Sequence, residues 1–240
     1  MGETMSATPV HPASIHPASL RPAFTSAGAH VRALLFVSRV QSRVMRHFRQ
    51  RRHQWLAEQF ADCRSVVDIG GRESMWQTVR LSPRVTIVNP EAVAVTKPEF
   101  RYVQGDGRKL AFAAAGAFDL AFANSAIEHV GTLRDQKLFA GEMMRVGRRL
   151  YCQTPSRWFP LEFHYLGLFV HWLPRNWFTY GVHRYCTLRG ILGKPSRQQS
   201  LELRTSIRLL SRRELAGLFP GCRIRTERFL GWPKSYVVWR

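Results

Sequence analysis

Three short polar clusters close apolar, strand-like runs in this chain: VVDIGG (66–71), VQGDGRKL (103–110) and FDLAFANSAIEHV (118–130). In a chain that alternates strands and helices, ligands bind in the crevice beyond the carboxyl ends of the strands. A carboxylate or amide placed there repeatedly points to one extended, polar, nucleoside-like ligand.

The alternation continues on both sides. Strands are expected at 65–69, 84–89, 100–104, 118–123 and 149–153, with a short helix at 75–80 and a longer one at 133–146. Gly70-Gly71 bounds the first strand and Asn89-Pro90 the second, both turn signals. Near the end, Ser211-Arg212-Arg213-Glu214 is a capping box opening a helix that runs to Phe219. A strand at 223–229, a turn at Gly231-Trp232-Pro233 and a strand at 235–239 follow. Strands alternating with helices imply an α/β fold, a parallel sheet with helices on both faces. A closing antiparallel hairpin is an addition that a plain dinucleotide-binding domain does not require.

Upstream, the near-repeat HPASI-HPASL-RPAF has too few large apolar groups to offset ordering entropy, so 1–28 reads as a disordered leader. From 29 to about 62 a helical segment follows. Val31, Leu34, Leu35, Met45, Phe48, Trp55, Leu56 and Phe60 fall mostly on one side, and Arg32, Arg39, Arg43 and Arg46 on the other. Such a helix packs on a domain as a cover; resting on a membrane surface and serving as an organelle transit peptide are the alternatives. The remainder, 63–240, reads as a single domain with an aromatic lid inserted at about 156–200.

The length of 240 residues suffices for one α/β domain with appendages. The longest apolar region, 158–174, is interrupted by Glu162, His164 and His171 and falls short of the ~20 apolar residues of a spanning helix. No signal peptide is evident. Cys63, Cys152, Cys186 and Cys222 form no CxxC pair or zinc pattern, and suit ordinary buried thiols in a reducing cytoplasm. The net charge is +20, and its densest part is the C-terminal 183–240. That field favours RNA, an anionic membrane surface or phosphorylated substrates, unless it is the solvated surface of an arginine-rich chain.

Each cluster offers specific chemistry. Gly70 and Gly71 let the backbone turn tightly and approach a ligand, and Asp68 can hold an ammonium group. Gly105-Asp106-Gly107 places a carboxylate where it can accept from an exocyclic amine. Asn124-Ser125 opens the loop after the fourth strand, and Glu128-His129 follow one helical turn on. Asp68 and Asp106 also suit helix or turn caps, Asn124-Ser125 an ordinary N-cap, His129 a satisfied helix histidine, and Asp119 a structural role at a strand start.

The run GDGRKLAF (105–112) with AFDLAFANSAIEHV (117–130) resembles the class I S-adenosylmethionine-dependent methyltransferases, in particular the small-molecule type 11 group. The resemblance covers about 64–155, with Ala111 where proline is usual and Ala121 where valine is. It implies a Rossmann-like, seven-stranded, mostly parallel sheet ending in an antiparallel hairpin. It also implies S-adenosylmethionine as cofactor. By position, Asp106 with Gly107 would contact adenine, and Gly70 and Gly71 would line the methionine and ribose. Asn124 and Ser125 would form the cofactor floor, and His129 would face the acceptor. Two departures stand out. Gly71 is followed by Arg72-Glu73-Ser74-Met75-Trp76 instead of further glycines, so that Trp76 is expected to close over the cofactor. The second strand ends in Asn89 where an acid usually chelates the ribose.

Methyl transfer from a sulfonium is an in-line displacement needing alignment and exclusion of water. A base, here His129, is needed only when the acceptor must lose a proton. The lid is crowded with Trp158, Phe159, Phe163, Tyr165, Phe169, Trp172, Trp177, Phe178, Tyr180 and Tyr185, which suggests an apolar, sugar or lipid-linked acceptor unless these rings only pack the lid against the sheet. The expected reaction is O-methylation of a small or lipid- or glycan-linked acceptor. His164 and His171, seven apart, lack a third ligand, so no metal is expected. An RNA methyltransferase and a non-catalytic binding protein on a degenerate methyltransferase fold remain as alternatives. An oxidoreductase fails on Asn89, where a dinucleotide site wants an acid. The expected location is the cytoplasm or the periphery of a membrane.

Overall fold

The computed structural model describes residues 29–79, 81, 83–92, 96–174 and 180–240. The expected leader and the lid residues Trp177 and Phe178 lie outside the described residues, as do the side chains of the helical stripe before Arg43. Two compact units divide the chain, Met1–Met45 and Arg46–Arg240.

In chain order the elements are α1 (Ala29–Gln59), β1 (Ser65–Ile69), α2 (Glu73–Trp76), β2 (Arg84–Asn89), β3 (Phe100–Gln104) and β4 (Phe118–Asn124). Next come α3 (Leu133–Val146) and β5 (Gly147–Pro155). The lid region holds β6 (Leu161–Glu162), β7 (Gly167–Leu168), α4 (Tyr180–Cys186), α5 (Leu188–Gly193) and α6 (Arg197–Thr205). The chain closes with α7 (Arg212–Leu218), β8 (Arg223–Phe229) and β9 (Trp232–Trp239).

Seven strands form one sheet in the order β3-β2-β1-β4-β5-β9-β8. The first five run parallel, and β9 pairs antiparallel with both β5 and β8. This is the expected mostly parallel sheet with its C-terminal hairpin. The central strands are nearly continuous apolar runs because both sheet faces are covered. On one face α3 and α7 bury Phe139, Met143, Leu215 and Leu218. The other carries Leu56 and Phe60 from the end of α1 and its following turn, with Trp76, Phe122 and Tyr151. Order reverses between β1 and β4, which opens a crevice at their carboxyl ends.

Several polar groups fix this frame. Asp119 Oδ2 accepts from the backbone N–H of Arg64 and Ser65 and from the Ser65 hydroxyl, clamping the start of β4 to that of β1. That is the structural role expected of it. Arg52 and Glu227 form a buried ion pair at 2.8 Å. Ser211 and Glu214 form the expected capping box, and a second one, Thr132 with Asp135, starts α3.

Three local expectations are corrected. The helix foreseen at 75–80 is the single turn α2, after which the Thr78 hydroxyl donates to the Met75 carbonyl at 2.7 Å and takes an acceptor that a continuing helix would use. The last strand begins at Trp232, earlier than expected, because Phe229 pairs directly with Trp232. Leu230 and Gly231 between them adopt φ of 48° and 81°, the left-handed geometry of a two-residue hairpin turn. Of the four free cysteines only Cys63 and Cys152 are buried; Cys186 is exposed and Cys222 half-buried.

Candidate functional site

The parallel register brings the strand tips to one edge. The Gly70 N–H donates to the Val88 carbonyl at 2.8 Å, and the Gly105 N–H to the Asn89 carbonyl at 2.9 Å. Asn124 lies opposite Gln153, whose carbonyl accepts from the Ser125 N–H at 2.9 Å. Asp68, Asn89, Asp106 and Asn124, from four different strand ends, therefore share the carboxyl edge of the sheet.

At the β1 tip the carboxylate of Asp68 is wholly buried. Its Oδ2 accepts from the Trp76 indole N–H at 2.7 Å, and its Oδ1 has no hydrogen-bond partner among the described residues. Burial pushes its pKa up to about 7, against a smaller opposing effect of the indole N–H. Trp76 does not close over the crevice as expected. It is buried against Phe122 at 5.0 Å between ring centroids, because its apolar ring belongs to the core and its N–H is captured by Asp68. Gly71 is required here: a Cβ on it would lie 1.8 Å from Asp68 Oδ2. Gly70 has φ of 79°, and a Cβ there would meet the Cβ of Ala126 at 2.8 Å.

The other predicted residues divide by what they touch. The Asn89 amide donates to the Gly71 carbonyl at 2.8 Å, tying the second loop to the first. Asp106 is gripped by Arg108, whose Nη2 lies 2.6 Å from Oδ2, and that hydrogen bonding holds its carboxyl below the usual range. Gly107 serves packing, since a Cβ there would lie 2.5 Å from Ile69 and 2.7 Å from Phe139. Asn124 is half-buried. Ser125 takes φ of 55° and donates its hydroxyl to Gln153 Oε1 at 2.9 Å.

A second cluster lies at the turn after β4. The Nε2 atoms of His129 and His164 are 3.1 Å apart, and His164 Nδ1 is 2.6 Å from Glu162 Oε1. The other Glu162 oxygen accepts from the Tyr165 N–H at 2.7 Å. Desolvation and the neighbouring His164 push the His129 pKa down to about 4, so its imidazole is neutral at pH 7. Glu128, fully buried, accepts from the Thr154 hydroxyl at 2.9 Å. The sequence singled out His129 but not Glu162 or the partnership with His164. Glu162 sits on a two-residue strand and carries no local motif. His164 does not meet His171, whose ring instead contacts the Arg157 carbonyl at 3.0 Å.

Residues 53–149 match the sequence profile of a methyltransferase domain, Methyltransf_11. The chain carries a methyltransferase domain. Its sheet resembles that of a SAM-dependent methyltransferase from Archaeoglobus fulgidus, at TM-score 0.53 and 12% identity, over 81% of this chain and 93% of that one. A 1,6-didemethyltoxoflavin-N1-methyltransferase from Burkholderia thailandensis covers 91% of both chains at 15% identity and TM-score 0.45. A structure from an antibiotic biosynthesis pathway in Anabaena variabilis matches over 69% of this chain at 16% identity and TM-score 0.42, and this chain spans 58% of its length. No curated protein sequence matches the chain. The strand tips suit S-adenosylmethionine, the cofactor expected from the sequence. The Oδ1 of Asp68, without a partner among the described residues, lies buried at the β1 tip, and at Gly70 and Gly71 the backbone runs where no side chain fits.

Proposed function

We propose that this methyltransferase domain moves the methyl group of S-adenosylmethionine to an oxygen of a small or lipid- or glycan-linked acceptor. The observation that carries this reading is the alignment of Asp68, Asn89, Asp106 and Asn124 along one sheet edge, with the His129–His164–Glu162 chain at the next turn. Asp68, Gly70 and Gly71 hold the methionine end and Asn89 the ribose. Asp106 and Gly107 form the adenine side, and Asn124 and Ser125 the floor. The bound sulfonium supplies an already activated methyl group, so the chain aligns the acceptor and excludes water. For a hydroxyl acceptor, His129 takes the proton, with His164 held in place by Glu162.

The acceptor end of this reading rests on the lid. A cavity of about 340 Å³ lies beside Glu162, walled by Arg157, Tyr165, Val170, Leu173 and Ile207. Outside it, Trp158, Phe169, Trp172 and Trp232 form an exposed ring cluster. Aromatic faces beside arginines suit a lipid- or glycan-linked acceptor at an anionic surface. No helix among the described residues is long and apolar enough to cross a membrane. A cytoplasmic protein working at the membrane periphery is the setting this reading implies.

Binding without catalysis is the second reading, favoured by the grip of Arg108 on Asp106 and of Trp76 on Asp68. Calorimetric titration with S-adenosylmethionine and its demethylated product separates the two, because absence of heat with either ligand sinks the enzymatic reading. Labelled cofactor incubated with cell fractions then identifies the acceptor. Label entering lipid, glycan or small metabolites supports the proposal, and label entering only RNA replaces its acceptor.

A further inference from the structure

His129 and His164 are 35 residues apart in sequence, yet their Nε2 atoms face each other at 3.1 Å with the rings nearly perpendicular, at 80°. Each ring has a further partner. Glu162, itself buried, holds His164 Nδ1, and the backbone of Ser206 hydrogen-bonds the His129 ring. Two ring nitrogens facing each other at this distance either share one N–H hydrogen or turn both lone pairs to a cation. The third group is Glu128. Its Oε2 takes the Thr154 hydroxyl, while its Oε1 is buried without a partner among the described residues. A buried oxygen without a partner is unfavourable, and a bound cation would satisfy it. One donor atom from each of Glu128, His129 and His164 lies within 4.8 Å of the others.

We propose that Glu128, His129 and His164 together bind one divalent cation of the zinc class. Two imidazole nitrogens and one carboxylate oxygen are a donor set that Zn²⁺ accepts, and three protein ligands leave a fourth position open. Glu162 supplies the carboxylate partner that orients a ligating histidine through its other nitrogen. His129 is exposed on one side, which gives the ion a way in. In the loaded protein His129 is a ligand and no longer the proton acceptor; a hydroxyl acceptor at the open position would be acidified by the cation instead. The site stands on its own geometry and does not depend on methyl transfer.

The test uses the full chain, stripped of metal with a chelator and titrated with Co²⁺ and then Zn²⁺. Visible d–d bands saturating at one Co²⁺ per chain and bleached by one Zn²⁺ are expected, with matching heat by calorimetry. Glu128→Gln and His164→Ala should abolish the one-to-one binding. Glu162→Gln should weaken it about 10–100-fold, and His171→Ala should leave it unchanged. The wild-type cobalt spectrum needs no variant to fold, and melting curves check the variants that are made. The proposal is overturned if the wild type gives neither bands nor heat, as a merely shared proton would, or if binding survives the His129→Ala/His164→Ala double substitution. S-adenosylmethionine titrated into the same samples keeps the two claims apart. Zinc heat without cofactor heat leaves the cation site standing and sinks the proposed enzyme, and the converse does the reverse.

Discussion

Around Asp68 every partner is local: the Trp76 indole is eight residues away, and Gly71 lies between them. Around His129 the partners come from distant chain, His164 being 35 residues on and reached only through the short strand of Glu162. In the first cluster Asp68 and Trp76 are buried, and the carboxylate is pushed towards neutrality. The second is open to solvent on the His129 side and holds two imidazoles against a carboxylate. The difference separates two jobs. A local loop closed by an indole can be shaped before any ligand arrives, whereas an assembled, partly open cluster can exchange a proton or an ion.

The contrast breaks most sharply at His129. With cofactor and a hydroxyl acceptor saturating, and the protein kept metal-free, His129→Ala should lower kcat by about 10²–10⁴-fold; full turnover in the variant would remove it from proton transfer. At the other cluster, Gly71→Ala drives a methyl into the Asp68 carboxylate. Urea unfolding should show a loss of about 3 kcal/mol, and cofactor affinity should fall with it. A variant as stable as wild type would mean the loop is not held as described.

Trp76→Phe keeps the ring in the core but removes the N–H that serves Asp68. A cost of about 2 kcal/mol is expected in the same assay, smaller than for Gly71→Ala. The last effect is one of pH. The folded chain keeps a proton on Asp68 up to about pH 7, whereas an ordinary carboxyl releases it near 3.8. Stability from that proton is full below pH 4 and is lost as pH rises through 7. Asp68→Asn, which does not ionise there, should therefore gain in melting temperature relative to wild type between pH 5 and pH 8. A pH-independent difference would mean that Asp68 ionises normally.

Much of the frame was legible because it is periodic or local. The strands from β1 to β5 stand where apolar runs meet turn residues, and the hairpin and the Ser211 capping box follow from short patterns. The burial of Trp76 was not legible, since a tryptophan after a glycine loop reads equally as a lid or as core. The same limit hid Glu162, the meeting of His164 with His129, and the grip of Arg108 on Asp106.

By itself, then, the sequence determined the α/β class, the order of strands and helices, and the polar groups at the strand ends, because hydrophobic period and turn chemistry act over a few residues. Only the tertiary structure decided which of those groups are buried, which are already paired, and which meet across long stretches of chain. Burial and through-space contact depend on how the layers pack, and packing joins residues whose separation in sequence carries no signal.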